Sequence, residues 1–268
     1  MFLAAAVQLC STSNSEANLK SAEDLIRQAA KRGATFIATP ENTDFLGSPQ
    51  EKVRRGETLE GPTCTLFAKL AKELKLHLLL GSFNEKSERP DRVYNTSVLF
   101  GPAGERLGVY RKLHLFDADV SEQVRAQESL AVMPGKDVLM AHTALAKFGL
   151  SICYDLRFGE LYRQLVERGA EVLCVPAAFT LLTGRDHWET LLRARAIECQ
   201  CYVIAPGQWG RHEDNEVKES YGHSLIVDPW GLVLAMAADG PGLAVAEIDL
   251  ARVARVRKAI PVQRHRRL

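Results

Sequence analysis

The chain has 268 residues, with 34 basic and 33 acidic side chains and a formal net charge of +1 at pH 7. Hydrophobic residues make up 46% of it and charged residues 25%, which is typical of a globular protein that can bury a large core. These values exclude a disordered or collagen-like chain, and they lack the positive charge excess typical of nucleic-acid-binding proteins.

The short apolar runs and scattered cysteines bear on the cellular compartment of the protein. The apolar run 172–182 is far below the roughly 18 residues that a membrane span needs. The opening MFLAAAVQLC has no basic region before it, so we interpret it as a buried strand and not as a signal peptide. The six cysteines have no disulfide or zinc-binding pattern. We therefore expect a cytoplasmic protein with reduced thiols, no membrane association and no bound metal.

Apolar runs alternate with helical patterns throughout the first half of the chain. In order, the patterns predict a strand at 4–9, a helix over 19–30 ended by Gly33, a strand at 35–39, a helix over 66–74, a strand at 76–83, and a hairpin formed by 93–100 and 107–112.

The second half repeats this rhythm and ends in a basic segment. The predicted elements are a strand ending at 151–153, a helix over 159–168, a strand at 171–177, a helix over 187–200, a strand at 202–206, a hairpin of 224–227 and 232–235, and a strand at 242–248. Each half thus supplies two helices and hairpin-linked strands. This pattern favours an α/β fold, a four-layer αββα sandwich, in one domain over residues 1–268.

Cys153 is a candidate nucleophile because it follows the apolar run FGLSI at a strand-to-helix turn. The backbone N–H of Tyr154 would then lie beside it as half of an oxyanion hole. A buried cysteine that only packs is the commoner case, so the position alone leaves both interpretations open.

Glu41 and Lys112 also stand at predicted strand ends. A partly desolvated Glu41 is a candidate general base, and a fixed Lys112 ammonium can stabilise an oxyanion and favour a neighbouring thiolate. The alternatives are a solvated loop acid and a lysine whose stem lies along the sheet edge.

Three motifs together resemble the nitrilase superfamily of carbon–nitrogen hydrolases. They are PEN at 40–42, YRKLHLFD at 110–117 and ICYDLRFGELYR at 152–163. The resemblance implies that Glu41, Lys112 and Cys153 form a catalytic triad and that Glu128 orders the lysine. It also implies a thioester mechanism on a small amide, no cofactor, and a homodimer or higher homo-oligomer.

The C-terminal half resembles one branch of that superfamily, the deaminated-glutathione amidases and the nitrilase part of nitrilase–Fhit proteins. The motifs are AAFTLLTGRDHWETLLRARAIECQCYVIAPGQWGRH at 177–212, YGHSLIVDPWG at 221–231 and IPVQRHRR at 260–267. The implied reaction releases 2-oxoglutarate and cysteinylglycine. Trp209 departs from the smaller residue expected there, which puts the shape of the pocket rim in doubt.

Anionic substrates require cations, and arginine binds carboxylates through two hydrogen bonds. Arg157 and Arg211 are the candidates, with a structural ion pair as the alternative for each. Phe179 and Thr180 are expected to line the cleft. His187 and Trp188 are expected at a helix start, as structural residues or part of the pocket wall.

Other functions stay open from the sequence. An ω-amidase acting on 2-oxoglutaramate or 2-oxosuccinamate would share the triad, and a scaffold or signalling protein would retain the fold without needing catalysis. The basic segment 252–267 is expected against a partner subunit, as is one seam of helix 187–200, for which core packing is the alternative. That seam consists of Trp188, Leu191, Leu192 and Arg195.

Overall fold

The computed structural model describes residues 1–121, 124–212 and 219–267. Its helices are α1 Ser15–Lys31, α2 Pro49–Arg54, α3 Pro62–Leu74, α4 Gly159–Glu167, α5 Leu181–Cys199, α6 Leu250–Ala259 and α7 Val262–His265.

The strands alternate with these helices along the chain. They are β1 Phe2–Gln8, β2 Phe36–Ala38, β3 His77–Lys86, β4 Val93–Phe100, β5 Arg106–Arg111, β6 Asp117–Ser121, β7 Val124–Gln127, β8 Val132–Met133, β9 Met140–His142, β10 Lys147–Leu150, β11 Val172–Cys174, β12 Tyr202–Ala205, β13 Trp209–Arg211, β14 Glu219–Tyr221, β15 Leu225–Val227, β16 Val233–Met236 and β17 Gly242–Ile248.

Two sheets form the centre of the molecule. The first has the order β17-β1-β2-β3-β4-β5 with β8 paired to β4, and the second has the order β16-β15-β12-β11-β10-β9. They pack face to face, and Phe36 of β2 stacks on Phe148 of β10 with ring centroids 4.3 Å apart. This arrangement confirms the predicted α/β class with two layers of strands.

Side chains of the first sheet alternate between its two faces, and both faces are apolar, which explains why helices cover the outer one. On β1, Ala4 and Ala6 face the second sheet, whereas Ala5 and Val7 pack with the apolar side chains of α1 and α3. Successive strand side chains point to opposite faces, so a strand buried on both sides is apolar throughout. The same division separates Phe36 from Ile37 on β2.

Helix α5 differs from the prediction at its N-terminus. It begins at Leu181, where the Thr180 side chain caps it by accepting a hydrogen bond from the Thr183 N–H. His187 and Trp188 therefore lie inside the helix and not at its start, which corrects the predicted boundary. Trp188, Leu192 and Arg195 are buried within the subunit. Three of the four seam residues therefore pack in the core, which supports the core-packing alternative for this seam.

The basic C-terminal segment is not a free tail, because much of it forms α6 and contacts its own chain. Arg252 pairs with Asp228 at 2.5 Å and Arg266 with Glu167 at 2.9 Å. The Arg257 guanidinium donates to the Ala170 carbonyl at 2.6 Å. These three arginines thus hold the segment against its own subunit, and its expected contact with a partner subunit stays a prediction.

Two further structural findings concern helices. The short helix α2, which the sequence patterns did not predict, begins at a Ser48 cap followed by Pro49. Within the described ranges, no helix has the length and apolar character needed to cross a membrane.

Candidate active site

The three candidate catalytic side chains meet where strands of both sheets end. Glu41 follows β2, Lys112 follows β5 and Cys153 follows β10. All three are buried, with 3%, 2% and 8% of their surfaces exposed. The structure therefore brings together residues that are up to 112 positions apart in the sequence.

The loop that carries Glu41 is held on both sides. The Gln208 side-chain amide donates to the Glu41 carbonyl at 2.9 Å, and the Asn42 N–H donates to the Ser82 hydroxyl at 2.8 Å. A Cβ atom on Gly81 would lie 1.9 Å from the Thr39 carbonyl oxygen, so only glycine lets β3 approach this loop. The position of the carboxylate is thus set by close backbone packing.

The Glu41 carboxylate accepts three hydrogen bonds. Its Oε1 accepts from Lys112 Nζ at 2.9 Å and from Asn95 Nδ2 at 2.8 Å. Its Oε2 accepts from the Ala178 N–H at 2.8 Å. These donors fix the carboxylate in the cavity that Cys153 also lines, close enough to raise the pKa of the thiol.

Lys112 lies between two carboxylates. Its Nζ is 2.8 Å from Glu128 Oε2, and Glu128 is itself held by the Phe116 N–H at 2.7 Å. Burial by itself lowers the pKa of Lys112, but Glu128 and Glu41 together raise that pKa well above its usual value. Burial raises the pKa of Glu128, but Lys112, Lys52 and the Phe116 N–H together lower it more, so that pKa falls. The lysine is therefore a permanent cation in the site.

Cys153 has a left-handed backbone, with φ at 49°, and its N–H donates to the Pro176 carbonyl at 2.9 Å. A non-glycine residue in this region is strained, and such strain concentrates at functional sites. Burial and the Glu41 carboxylate raise the pKa of the thiol well above its usual value despite the opposing effect of Lys112. Lys112 thus favours the thiolate, as expected, but burial and Glu41 outweigh it and the thiol keeps its proton.

Two cavities open at Cys153, and the first is the larger of the two. Glu41, Lys112 and Glu128 line the first cavity and not the second. Both are lined by Phe116, Cys153 and Ala178, so they meet at the thiol.

Four of the five predicted substrate-binding residues line the second cavity: Tyr154, Arg157, Phe179 and Thr180. The Arg157 guanidinium lies 5.2 Å from the Phe179 ring centroid and 3.3 Å from His187 Nδ1. The described residues supply no hydrogen-bond acceptor for the Tyr154 N–H, which leaves this donor available.

Arg211 lies on β13 opposite Glu219 and lines neither of the two cavities at Cys153. Trp209, on the same strand, lines neither cavity as well. The ring of His212 is buried between the Ser11 carbonyl and the Ser220 hydroxyl, each 2.9 Å away. His212, the last residue of the 177–212 motif, therefore has a structural role.

Sequence reasoning missed a buried carboxylate that joins two of the motifs. Asp155 accepts from Tyr110 Oη at 2.7 Å and from the Ile152 N–H at 2.9 Å through Oδ2. Its Oδ1 accepts from the His114 N–H at 3.0 Å and lies 2.7 Å from His114 Nδ1. The aspartate thus ties the segment that carries Lys112 to the turn that carries Cys153.

Asn95 and Lys52 were also missed. Asn95 lies near the start of β4 and donates to both Glu41 and Glu128, but a single asparagine in a strand has no distinctive sequence pattern. Lys52 lies on α2 and lines the first cavity. Across the part of the chain that the structure describes, no group of three or more His, Cys, Asp or Glu residues is placed to hold a metal ion.

Comparison with known proteins places this site in a family. The carbon–nitrogen hydrolase family model matches residues 3–258, so the chain belongs to that family and is a hydrolase of carbon–nitrogen bonds. A Bos taurus protein named deaminated glutathione amidase is 45% identical over 270 residues, which is 99% of this chain and 82% of that protein. A Synechocystis protein of the same name is 43% identical over 268 residues, 99% of this chain and 98% of that protein.

A solved structure gives the same result for the fold. The C. elegans NitFhit protein matches with a TM-score of 0.92 at 38% identity, over 99% of this chain. This chain spans 65% of the length of that protein.

Proposed function

We propose that this protein is a cysteine-dependent amidase that hydrolyses deaminated glutathione to 2-oxoglutarate and cysteinylglycine. The observation that carries the proposal is the Cys153 thiol, which shares a buried cavity with a Glu41 carboxylate held by Lys112, Asn95 and the Ala178 N–H. A nucleophile, a base and fixed donors in one buried cleft are the groups that acyl transfer requires.

In the acylation step, Cys153 Sγ attacks the amide carbonyl carbon while Glu41 takes the thiol proton. Because the resting thiol is protonated, the proton has to move during the attack, which gives Glu41 the role of general base. The Lys112 ammonium and the Tyr154 N–H stabilise the negative oxygen that forms. The C–N bond then breaks, and Glu41 returns the proton to the leaving amine.

In the deacylation step, Glu41 takes a proton from water, which attacks the thioester carbonyl. The C–S bond breaks, the carboxylic acid leaves, and the sulfur recovers a proton. Glu128 contributes by positioning Lys112, to which it makes two hydrogen bonds.

The substrate assignment rests on the named relatives and on the cation in the second cavity. Arg157 can bind the 2-oxo-acid carboxylate, with Phe179 and Thr180 as walls around the carbon chain. An ω-amidase that acts on 2-oxoglutaramate would use the same acyl site.

The test measures 2-oxoglutarate release from deaminated glutathione and from 2-oxoglutaramate. The blank is Cys153→Ala, and the matched control is Cys10→Ala, a cysteine that lines neither cavity at the site. Faster turnover of deaminated glutathione, abolished only by Cys153→Ala, supports the proposal. Faster turnover of 2-oxoglutaramate assigns an ω-amidase, and no turnover of either refutes both and favours the scaffold interpretation.

We also propose that residues 1–268 act as one domain in a homodimer in the cytoplasm. The family match over most of the chain supports the single domain. For the dimer, the support is an exposed apolar face where Ile197, Trp230 and Leu232 are 51%, 56% and 58% exposed. Sedimentation equilibrium of the protein and of Ile197→Glu tests the dimer, which the charged side chain should dissociate.

A further inference from the structure

Lys52 places a cation in the larger cavity, and no step of the proposed hydrolysis uses this cation. It lies on α2, half-buried, and lines the same cavity as Glu41, Lys112 and Glu128. Its positive charge lowers the pKa of Glu128, so it lies within electrostatic reach of the catalytic groups. Its ammonium makes no hydrogen bond or ion pair to a residue in ranges 1–121, 124–212 or 219–267.

The placement of Glu41 determines which part of the substrate enters this cavity. Glu41 has to protonate the leaving amine, and it lines the larger cavity only. The leaving group therefore departs through the larger cavity, and the acyl part occupies the smaller one with Arg157.

An anionic leaving group needs a second positive charge in the larger cavity, and Lys52 supplies it. Glu41 and Glu128 carry two negative charges against the single positive charge of Lys112, so a carboxylate entering the cavity would be repelled without Lys52. The carboxylate of a leaving dipeptide ends roughly 7 Å from the scissile nitrogen, two residues along an extended chain.

We propose that Lys52 binds the terminal carboxylate of the leaving dipeptide and so selects deaminated peptides over simple ω-amides. The inference rests on the proposed function. It assigns a subsite of that function on the leaving-group side, opposite Arg157. In an ω-amide the leaving group is ammonia, which has no carboxylate and gains nothing from Lys52.

The experiment compares wild type, Lys52→Met and Lys69→Met on three substrates. Lys69→Met is the matched control, since it removes the same charge from an exposed position on α3. The substrates are deaminated glutathione, its derivative with the glycine carboxylate converted to an amide, and 2-oxoglutaramate. For each combination of protein and substrate, kcat and KM are measured, and thermal unfolding checks that the variants fold.

Lys52→Met should lower kcat/KM for deaminated glutathione roughly 10- to 100-fold, as expected for loss of a hydrogen bond between charged groups. It should leave 2-oxoglutaramate within about twofold of wild type. Wild type should lose a similar factor on the amidated derivative, whereas Lys52→Met should treat the two tripeptide analogues alike.

Three results overturn the inference. Equal losses on deaminated glutathione and 2-oxoglutaramate would mean that Lys52 acts through its field at Glu128. Unchanged kcat/KM on deaminated glutathione would remove the subsite while leaving the proposed function intact. Absence of wild-type turnover of deaminated glutathione would refute the proposed function, and the inference with it.

Discussion

Replacing Asp155 with asparagine should destabilise the protein and misplace its catalytic groups. Asp155 is 0% exposed, and its two oxygens face donors on opposite sides. Oδ2 accepts from Tyr110 and the Ile152 N–H, and Oδ1 accepts from the His114 N–H. An asparagine has an oxygen for one side only, so its NH₂ group must face a backbone N–H on the other side.

The expected loss follows from these contacts. A hydrogen bond to a charged group contributes about 1.5–3 kcal/mol, and a buried donor left unsatisfied costs about 1–3 kcal/mol. Asp155→Asn should therefore lower the free energy of unfolding by about 3–5 kcal/mol. Tyr110→Phe removes one donor and leaves the carboxylate its other partners, so its loss should be smaller, about 1.5–3 kcal/mol.

The activity should fall as well, because Asp155 links the segment after β5 to the turn after β10. A displacement of about 1 Å at reacting groups can cost roughly 100-fold in rate, and we expect a loss of that order in kcat with a smaller change in KM. Urea unfolding and steady-state kinetics provide the measurements, with Asp24→Asn as the control at an exposed ion pair. An Asp155→Asn variant that matches Asp24→Asn in both would refute this reasoning.

Two further predictions concern proton binding. Burial, with a contribution from Glu57, raises the pKa of the Asp44 carboxyl from 3.8 to about 7, so the folded protein keeps a proton that the unfolded chain releases near pH 4. The free energy of unfolding should therefore fall between pH 4 and 7. Asp44→Asn should remove this fall and raise the free energy of unfolding at pH 8 by at most about 4 kcal/mol, measured by urea unfolding. An equal rise at pH 5 would contradict this explanation. Burial and Glu41 raise the pKa of Cys153, so Glu41→Gln should move alkylation by iodoacetamide to a lower pH midpoint while turnover is lost; an unchanged or higher midpoint counts against this.

Elements whose pattern is local were predicted well from the sequence. The strands Val93–Phe100 and Gly242–Ile248 have the predicted bounds, because apolar runs that end at turn residues carry their own signal. The start of α5 was predicted six residues late. Thr183 and Gly184 are weak helix formers, and Gly184 is required because a Cβ there would lie 2.3 Å from Tyr221 Cβ. Tertiary packing thus outweighed propensity at this helix end.

The sequence by itself determined the kinds of catalytic group and their place at strand ends. Glu41, Lys112 and Cys153 each follow an apolar run, and both sheets bring such ends to one edge. Only the tertiary structure decided how these groups behave. The direction of the Cys153 pKa depends on burial and on a carboxylate 112 positions away, and the role of Lys52 depends on a cavity wall that it shares with Glu128. Electrostatic effects of this kind depend on distance and solvent exclusion in space, and neither is encoded in local sequence.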